Sequence, residues 1–244
     1  MGDRRATAGL VAAVAMLAAG GCGGGGDPRL TVLAATSLKQ AFTGYAGAYD
    51  GAAVRLSFGG SDQLAAQIRA GARPGVLAAA DEELPAALHR EGLVEEPVRF
   101  ARNRLVVAVP AGGGRVREFA DLAEPGVRIA AGAPAVPVGA YARRAMRALP
   151  ASQGAAIERN VASEEPDVAA VVGRVRSATV DAGFTYLTDV APAGLRAIEL
   201  PVKVEATYAA AVVRGSGHEA EARRFVRGLA GGRGRAALDE AGFQ

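Results

Sequence analysis

The sequence predicts an α/β protein of two lobes, each a mixed, mostly parallel sheet flanked by helices, with a cleft between them. Three observations carry that expectation. Short apolar runs alternate with helical patterns from residue 30 onward. The alternation breaks at Pro110–Gly114 and shifts near residues 201–209. The turns from strand to helix are built of small residues and serines, on the side where sheets of this kind bind ligands.

The elements follow in order. Leu30–Ala34 (LTVLA) reads as a strand. Ser37–Tyr49 has helical spacing through Leu38, Ala41, Phe42 and Tyr45. Val54–Phe58 is a strand, Asp62–Ala70 a helix with Leu64, Ala65 and Ile68 on one face, Val76–Ala79 a strand, and Glu82–Glu91 a helix closed by Gly92. Arg104–Val109 (RLVVAV) is a strand stopped by Pro110. The second series runs through strand Val127–Ala131, helices Val138–Leu149, Ser152–Arg159 and Asp167–Val175, and strand Ala182–Tyr186. Leu195–Leu200 and Tyr208–Val213 read as strands, and Glu219–Leu229 and Arg233–Ala241 as closing helices. The division expected is residues 30–108 plus 210–244 for one lobe and 109–209 for the other, so the chain crosses between them twice.

Ahead of residue 30 the pattern is that of an export signal. Arg4 and Arg5 precede the apolar run Leu10–Ala19, which is too short to span a bilayer, since that takes ~20 residues. Gly20-Gly21-Cys22 then resembles a bacterial lipobox, with Ala19 where Leu is usual. Residues 1–22 are therefore expected to be a lipoprotein signal with Cys22 the lipidated residue, and 23–29 a glycine-rich tether. A plain secretory signal with an incidental cysteine is the alternative. Cys22 is the only cysteine, so no intrachain disulfide can form. The protein is expected outside the cytoplasm, anchored at the membrane surface.

Composition excludes several functions. The net charge is +3, from scattered arginines with no basic stripe interleaved with aromatics, which argues against nucleic-acid binding. His89 and His218 are the only histidines, both on polar stretches, and no nucleophile motif or His/Cys cluster with metal spacing is present. The acidic pairs Glu82-Glu83, Glu95-Glu96 and Glu164-Glu165 read as solvated. No enzyme activity, cofactor or metal cation is expected.

The binding signal lies at the helix starts. Ala34-Ala35-Thr36-Ser37 and Gly59-Gly60-Ser61-Asp62 each end a strand, turn on small residues and offer a serine as N-cap. A helix amino end has unpaired N–H groups and a positive dipole end, so a hydroxyl there completes an anion seat without Lys or Arg. Each serine alone is equally a simple N-cap. The stretch Gly132–Gly139, with Pro137 opening a helix near Val138, is a third candidate. The Glu164–Val168 stretch, capped by Pro166 or Asp167, is a fourth. Tyr186, ending the strand G-F-T-Y, either places its hydroxyl in the cleft or packs as a rim aromatic. Asp62 has three readings: pointing to solvent and favouring the helix dipole, aimed inward against an anion, or paired with Arg55 or Arg73.

The stretches LTVLAATSLKQAF, FGGSDQLAAQIRAG, ADEEL, NRLVVAVP, VPVGAYA, AGFTY and the final AGF resemble, in order, the periplasmic molybdate-binding proteins of bacterial ABC importers, over about residues 30 to 243. The resemblance implies two α/β lobes closing on a tetrahedral oxyanion, molybdate or tungstate, that is then delivered to a membrane permease by a monomeric binding protein. It implies binding by Ser37 and Ser61 (hydroxyl and backbone N–H), Val138 and Val168 (backbone N–H) and Tyr186 (hydroxyl). Three positions depart from the family pattern. Asp62 stands where a small hydroxyl residue is common, Arg73–Leu77 lacks an Asp, and Ala133 replaces an acidic or amide residue. The alternatives are a binding protein for sulfate, phosphate or a small organic anion, or a lipoprotein whose cleft no longer binds and which acts in surface interactions.

Overall fold

The computed structural model describes residues 29–244; the expected signal, Cys22 and nearly all of the tether lie outside the described residues. Strands β1 (Arg29–Ala35), β2 (Ala53–Gly59) and β3 (Val76–Ala79) pair in parallel, and β9 (Glu205–Val212) joins β3 antiparallel. The long β4 (Val98–Pro110) pairs with β9 through Arg104. From Leu105 it pairs instead with β7 (Ala182–Tyr186) and β8 (Leu195–Glu199). Beyond β7 lie β5 (Ile129–Gly132) and β6 (Val161–Glu165), both parallel. The order β2-β1-β3-β9-β4-β7-β5-β6 is thus two sheets joined through one strand, which changes partners halfway along.

Each sheet is covered on both faces. On the first, helices α1 (Lys39–Ala48), α8 (Glu219–Leu229) and α9 (Gly232–Glu240) cover one side, where Phe42 and Phe225 meet edge to face at 5.9 Å. Helices α2 (Ser61–Arg69) and α3 (Glu83–Arg90) cover the other, where Leu33 and Leu77 pack with Leu64, Ile68 and Leu88. This is why β1 alternates nothing: both its faces are interior, and its apolar run is nearly continuous. The second sheet carries α4 (Pro137–Arg147) and α5 (Ala151–Arg159) on one side, α6 (Val168–Arg176) and the one-turn α7 (Leu187–Val190) on the other.

The sequence reading missed β6. Its residues V-A-S-E-E alternate only weakly and carry charge, as suits an edge strand with one partner. Glu165, expected to be solvated, is buried there and held by Arg174 at 2.8 Å.

Helix α4 lies so close to β5 that a Cβ at Gly139 would strike the carbonyl oxygens of Gly132 and Ala133. Gly139→Ala is expected to destabilise the protein by about 1–3 kcal/mol, lowering Tm by roughly 2–4 °C per kcal/mol. Gly47, also helical but with open space around it, is expected to tolerate or gain from the same change. Thermal unfolding of the two variants checks this, and equal shifts would refute the packing argument.

Candidate functional site

Four helix starts and one strand end meet at a single cavity between the two sheets. It is lined by Ala35–Ser37 after β1, Gly59–Ser61 after β2, Val136–Val138 opening α4, Asp167–Val168 opening α6, and Tyr186 at the end of β7. All lie at carboxyl ends of strands and amino ends of helices, facing one another across the join. The space open to the centre of a water-sized sphere is about 20 Å³, which admits one compact guest with a radius of roughly 3 Å. Ser37, Ser61, Val138, Val168 and Tyr186 are therefore brought together.

The serines are not N-caps, contrary to the sequence reading. Ser37 sits inside a 3-10 turn, Thr36–Leu38, and Ser61 is the first residue of α2 with Gly60 as its cap; neither start has a side-chain cap hydrogen bond. Their hydroxyls are engaged elsewhere. Ser61 Oγ accepts the Ala80 N–H at 3.0 Å, and Ser37 Oγ lies 2.9 Å from the Tyr208 hydroxyl. With its oxygen already accepting, Ser61 retains its proton for a guest. Asp167 does cap α6, accepting from the Ala170 N–H at 2.9 Å. Val138, second in α4 behind Pro137, and Val168, first in α6, have backbone N–H groups with no carbonyl one turn earlier to receive them.

Tyr186 is not a rim aromatic. It is 1% exposed and packed edge to face between Tyr141 and Tyr208, at 6.4 and 5.9 Å. Among the described residues its hydroxyl has no hydrogen-bond partner. Burial pushes its pKa well above 10, so it stays a protonated donor. No Lys, Arg or His lines the cavity among the described residues, and Asp167, the one charged residue there, is occupied as a cap. The cavity offers neutral donors to a guest that only accepts.

Gly60 is glycine because of the other lobe. A Cβ there would lie 2.5 Å from the Pro166 carbonyl oxygen and 2.8 Å from Asp62 Oδ1. Asp62 is half-buried in the first turn of α2, where its charge favours the helix dipole, and its Oδ1 is enclosed with no donor among the described residues. No ion pair with Arg55 or Arg73 is present among them either, and Asp62 does not line the cavity. Beside it, Asp81 is raised to about 6, chiefly by burial, with the charges of Glu83 and Asp62 adding to it. Across the join, Asp189 is raised to about 7 by burial, against hydrogen bonds from the Tyr186 N–H and the Thr185 hydroxyl. His89 and His218 stand apart from the cavity, and no group of three metal-ligating side chains occurs among the described residues.

Residues 30–244 match the family described as bacterial extracellular solute-binding protein. A protein of Mycobacterium tuberculosis named molybdate-binding protein ModA is 33% identical over 228 residues, covering 89% of this chain and 85% of its own. The solved periplasmic molybdate-binding protein of Azotobacter vinelandii superposes with a TM-score of 0.75 at 25% identity, covering 88% of this chain and 98% of its own. The sulfate-binding protein SubI of M. tuberculosis shares the fold, with a TM-score of 0.77 at 16% identity over 88% of this chain and 86% of its own.

Asp62→Asn is expected to tighten oxyanion binding several-fold. An amide removes a negative charge from the start of α2, whose positive end faces the cavity, and relieves an enclosed, unpaired carboxylate oxygen. Titration of the variant checks this, and unchanged or weaker binding would refute it. Asp81 and Asp189 keep their protons in the folded state to higher pH than in the unfolded chain, where the ordinary value is 3.8. Stability is therefore expected to fall as pH rises from about 4 to about 7. Melting curves across that range should flatten in Asp189→Asn; an unchanged slope would refute the assignment.

Proposed function

Because the chain belongs to the bacterial extracellular solute-binding protein family, we propose that it captures molybdate outside the cytoplasm and delivers it to the membrane permease of an ABC importer. The observation that carries this reading is the buried Tyr186 hydroxyl. Among the described residues it has no partner, and it lines a small cavity whose other donors are serine hydroxyls and helix-start N–H groups. A fully deprotonated tetrahedral dianion accepts hydrogen bonds and donates none, so a wall rich in hydroxyl and N–H donors suits it. Convergent helix amino ends stabilise its charge without a buried counter-ion. Names borne by the relatives support the same ligand. Tungstate, of the same shape and charge, is the second ligand proposed.

The protein acts as a carrier, without catalysis or cofactor, and works as a monomer. Ser37, Ser61 and Tyr186 donate their hydroxyl protons, and Val138 and Val168 their backbone N–H groups. Residues 30–108 with 210–244, and 109–209, are proposed as the lobes that close on the ion by hinge motion. Cys22 is proposed to carry the lipid that holds the protein at the outer membrane face. Among the described residues no helix is long and apolar enough to cross a membrane.

A protonated oxyanion such as phosphate fits less well, because its O–H needs an acceptor and the one carboxylate in the wall, Asp167, is engaged as the α6 cap. Calorimetric titration with molybdate, tungstate, sulfate and phosphate tests the reading. Tight binding of the first two, weak binding of sulfate and none of phosphate are expected. Tyr186→Phe and Ser61→Ala are each expected to weaken molybdate binding about 10- to 100-fold, the loss of one hydrogen bond to a charged ligand. Preference for phosphate, or silence with all four, would sink it.

A further inference from the structure

The acidic pair Glu164-Glu165 ends the edge strand β6, just ahead of the Pro166-Asp167 turn that opens α6. Successive strand residues point to opposite faces, and each carboxylate here meets an arginine from the helix on its own face. Glu165 is held by Arg174 of α6 at 2.8 Å, and Glu164 by Arg143 of α4. Neither arginine lines the cavity.

Arg143 reaches further than Arg174. Its Nη1 donates to the Gly132 carbonyl at 2.9 Å and, at 3.4 Å, to that of Gly139 one turn back in α4. Its Nη2 donates to Glu164, and its Nε stands 3.5 Å from a carboxylate oxygen of Glu158 in α5. The side chain is only 14% exposed, so these contacts are made largely out of water. Gly132 ends β5, and from it the chain turns into α4, which offers the Val138 N–H. From Glu164 it runs through Pro166 and Asp167 into α6, which offers the Val168 N–H. The backbone ties the same two strand ends through the Ala133 N–H, which donates to the Glu165 carbonyl at 2.9 Å. A guanidinium is planar, with its donors in a fixed fork. Bound to both ends at once, it holds their separation where a single backbone bond leaves them free to pivot.

We propose that Arg143 is a positioning residue for the half of the seat that α4 and α6 supply. It touches no guest. By fastening the ends of β5 and β6 to α4 it fixes the distance and angle between the Val138 and Val168 N–H groups, so that both aim at one ion without reorganising when it arrives. The inference rests on the oxyanion reading of the cavity. The opposite half is held differently. Ser37 and Ser61 follow β1 and β2, which pair without a break from Arg29 and Ala53 to Ala35 and Gly59. The pairing of β5 with β6 is shorter and shifts register after Ile129. The weaker ladder is the one that carries the arginine.

The test joins calorimetry to amide NMR on the full chain. Arg143→Met keeps the stem and removes every donor. It is expected to weaken molybdate binding about tenfold, the cost of losing a preorganised pair of N–H donors. In the ligand-free chain it is expected to shift the Val138 and Val168 N–H resonances and leave those of Ser37 and Ser61 in place. A lower Tm with unchanged affinity would show a merely structural role and overturn the proposal, as would shifts of equal size in both pairs. Arg143→Lys keeps the charge without the fork, and a loss of about threefold is expected to remain; full recovery would mean that charge alone suffices. Glu164→Ala is expected to weaken binding about threefold in the native background and to add nothing in Arg143→Met, because it acts through the same tie. Equal losses in both backgrounds would overturn that tie. If Arg143→Met does not fold, Glu164→Ala decides by affinity and resonances alone. Where the native chain binds a different oxyanion, the ligand reading fails while the same variants, titrated with that ion, still test Arg143. Binding of no oxyanion at all overturns both.

Discussion

The change of partner along β4 is the constraint on which the rest depends. Its first half completes the sheet of β1, β2, β3 and β9, and its second half lies between β7 and β8. One continuous strand thereby aims the carboxyl ends of two parallel sheets at each other. Helices that begin at those ends present their amino termini to one shared volume. The chain returns from β8 to β9, so it crosses between the sheets twice while β4 is the strand that belongs to both.

A small cavity with no cation in its wall can hold a dianion only if many weak donors converge. No single helix start suffices, because each contributes a fraction of a charge and one or two free N–H groups. In the proposed reading, two starts and two serines from one lobe and two starts and one phenol from the other supply the donors, so a guest meets all of them only when both lobes are present around it. Gly60 against the Pro166 carbonyl shows how closely they approach.

The same closeness leaves acidic groups in poor surroundings. Asp62 Oδ1 is enclosed without a donor, and Asp81 and Asp189 hold their protons above the usual carboxylate range because burial disfavours their charge. None of these three lines the cavity. They stand around a site whose one lining carboxylate, Asp167, is engaged as the cap of α6.

Much of this was legible in the chain. Apolar runs with β-branched residues marked the buried parallel strands, and small residues before Ser37 and Ser61 marked the turns, because strand burial and helix starts are local properties. Pro137 and Asp167 announced their helix starts by chemistry that needs no tertiary partner. The edge strand β6 escaped, since one partner and one solvent face leave little apolar pattern to read. What the serine hydroxyls do was beyond local reasoning. Ser37 meets a tyrosine 171 positions away, and nothing in A-T-S-L announces it. Gly60 reads as a turn glycine, yet a carbonyl from the opposite lobe is its reason. Asp62 reads as a solvent-facing helix start and is half-buried, with one carboxylate oxygen enclosed. The sequence by itself determined which segments fold and which ends carry free donors, because those depend on neighbours a few residues apart. Only the tertiary structure decided which donors face one cavity and what holds each of them, because those depend on groups that meet solely when the two sheets are joined.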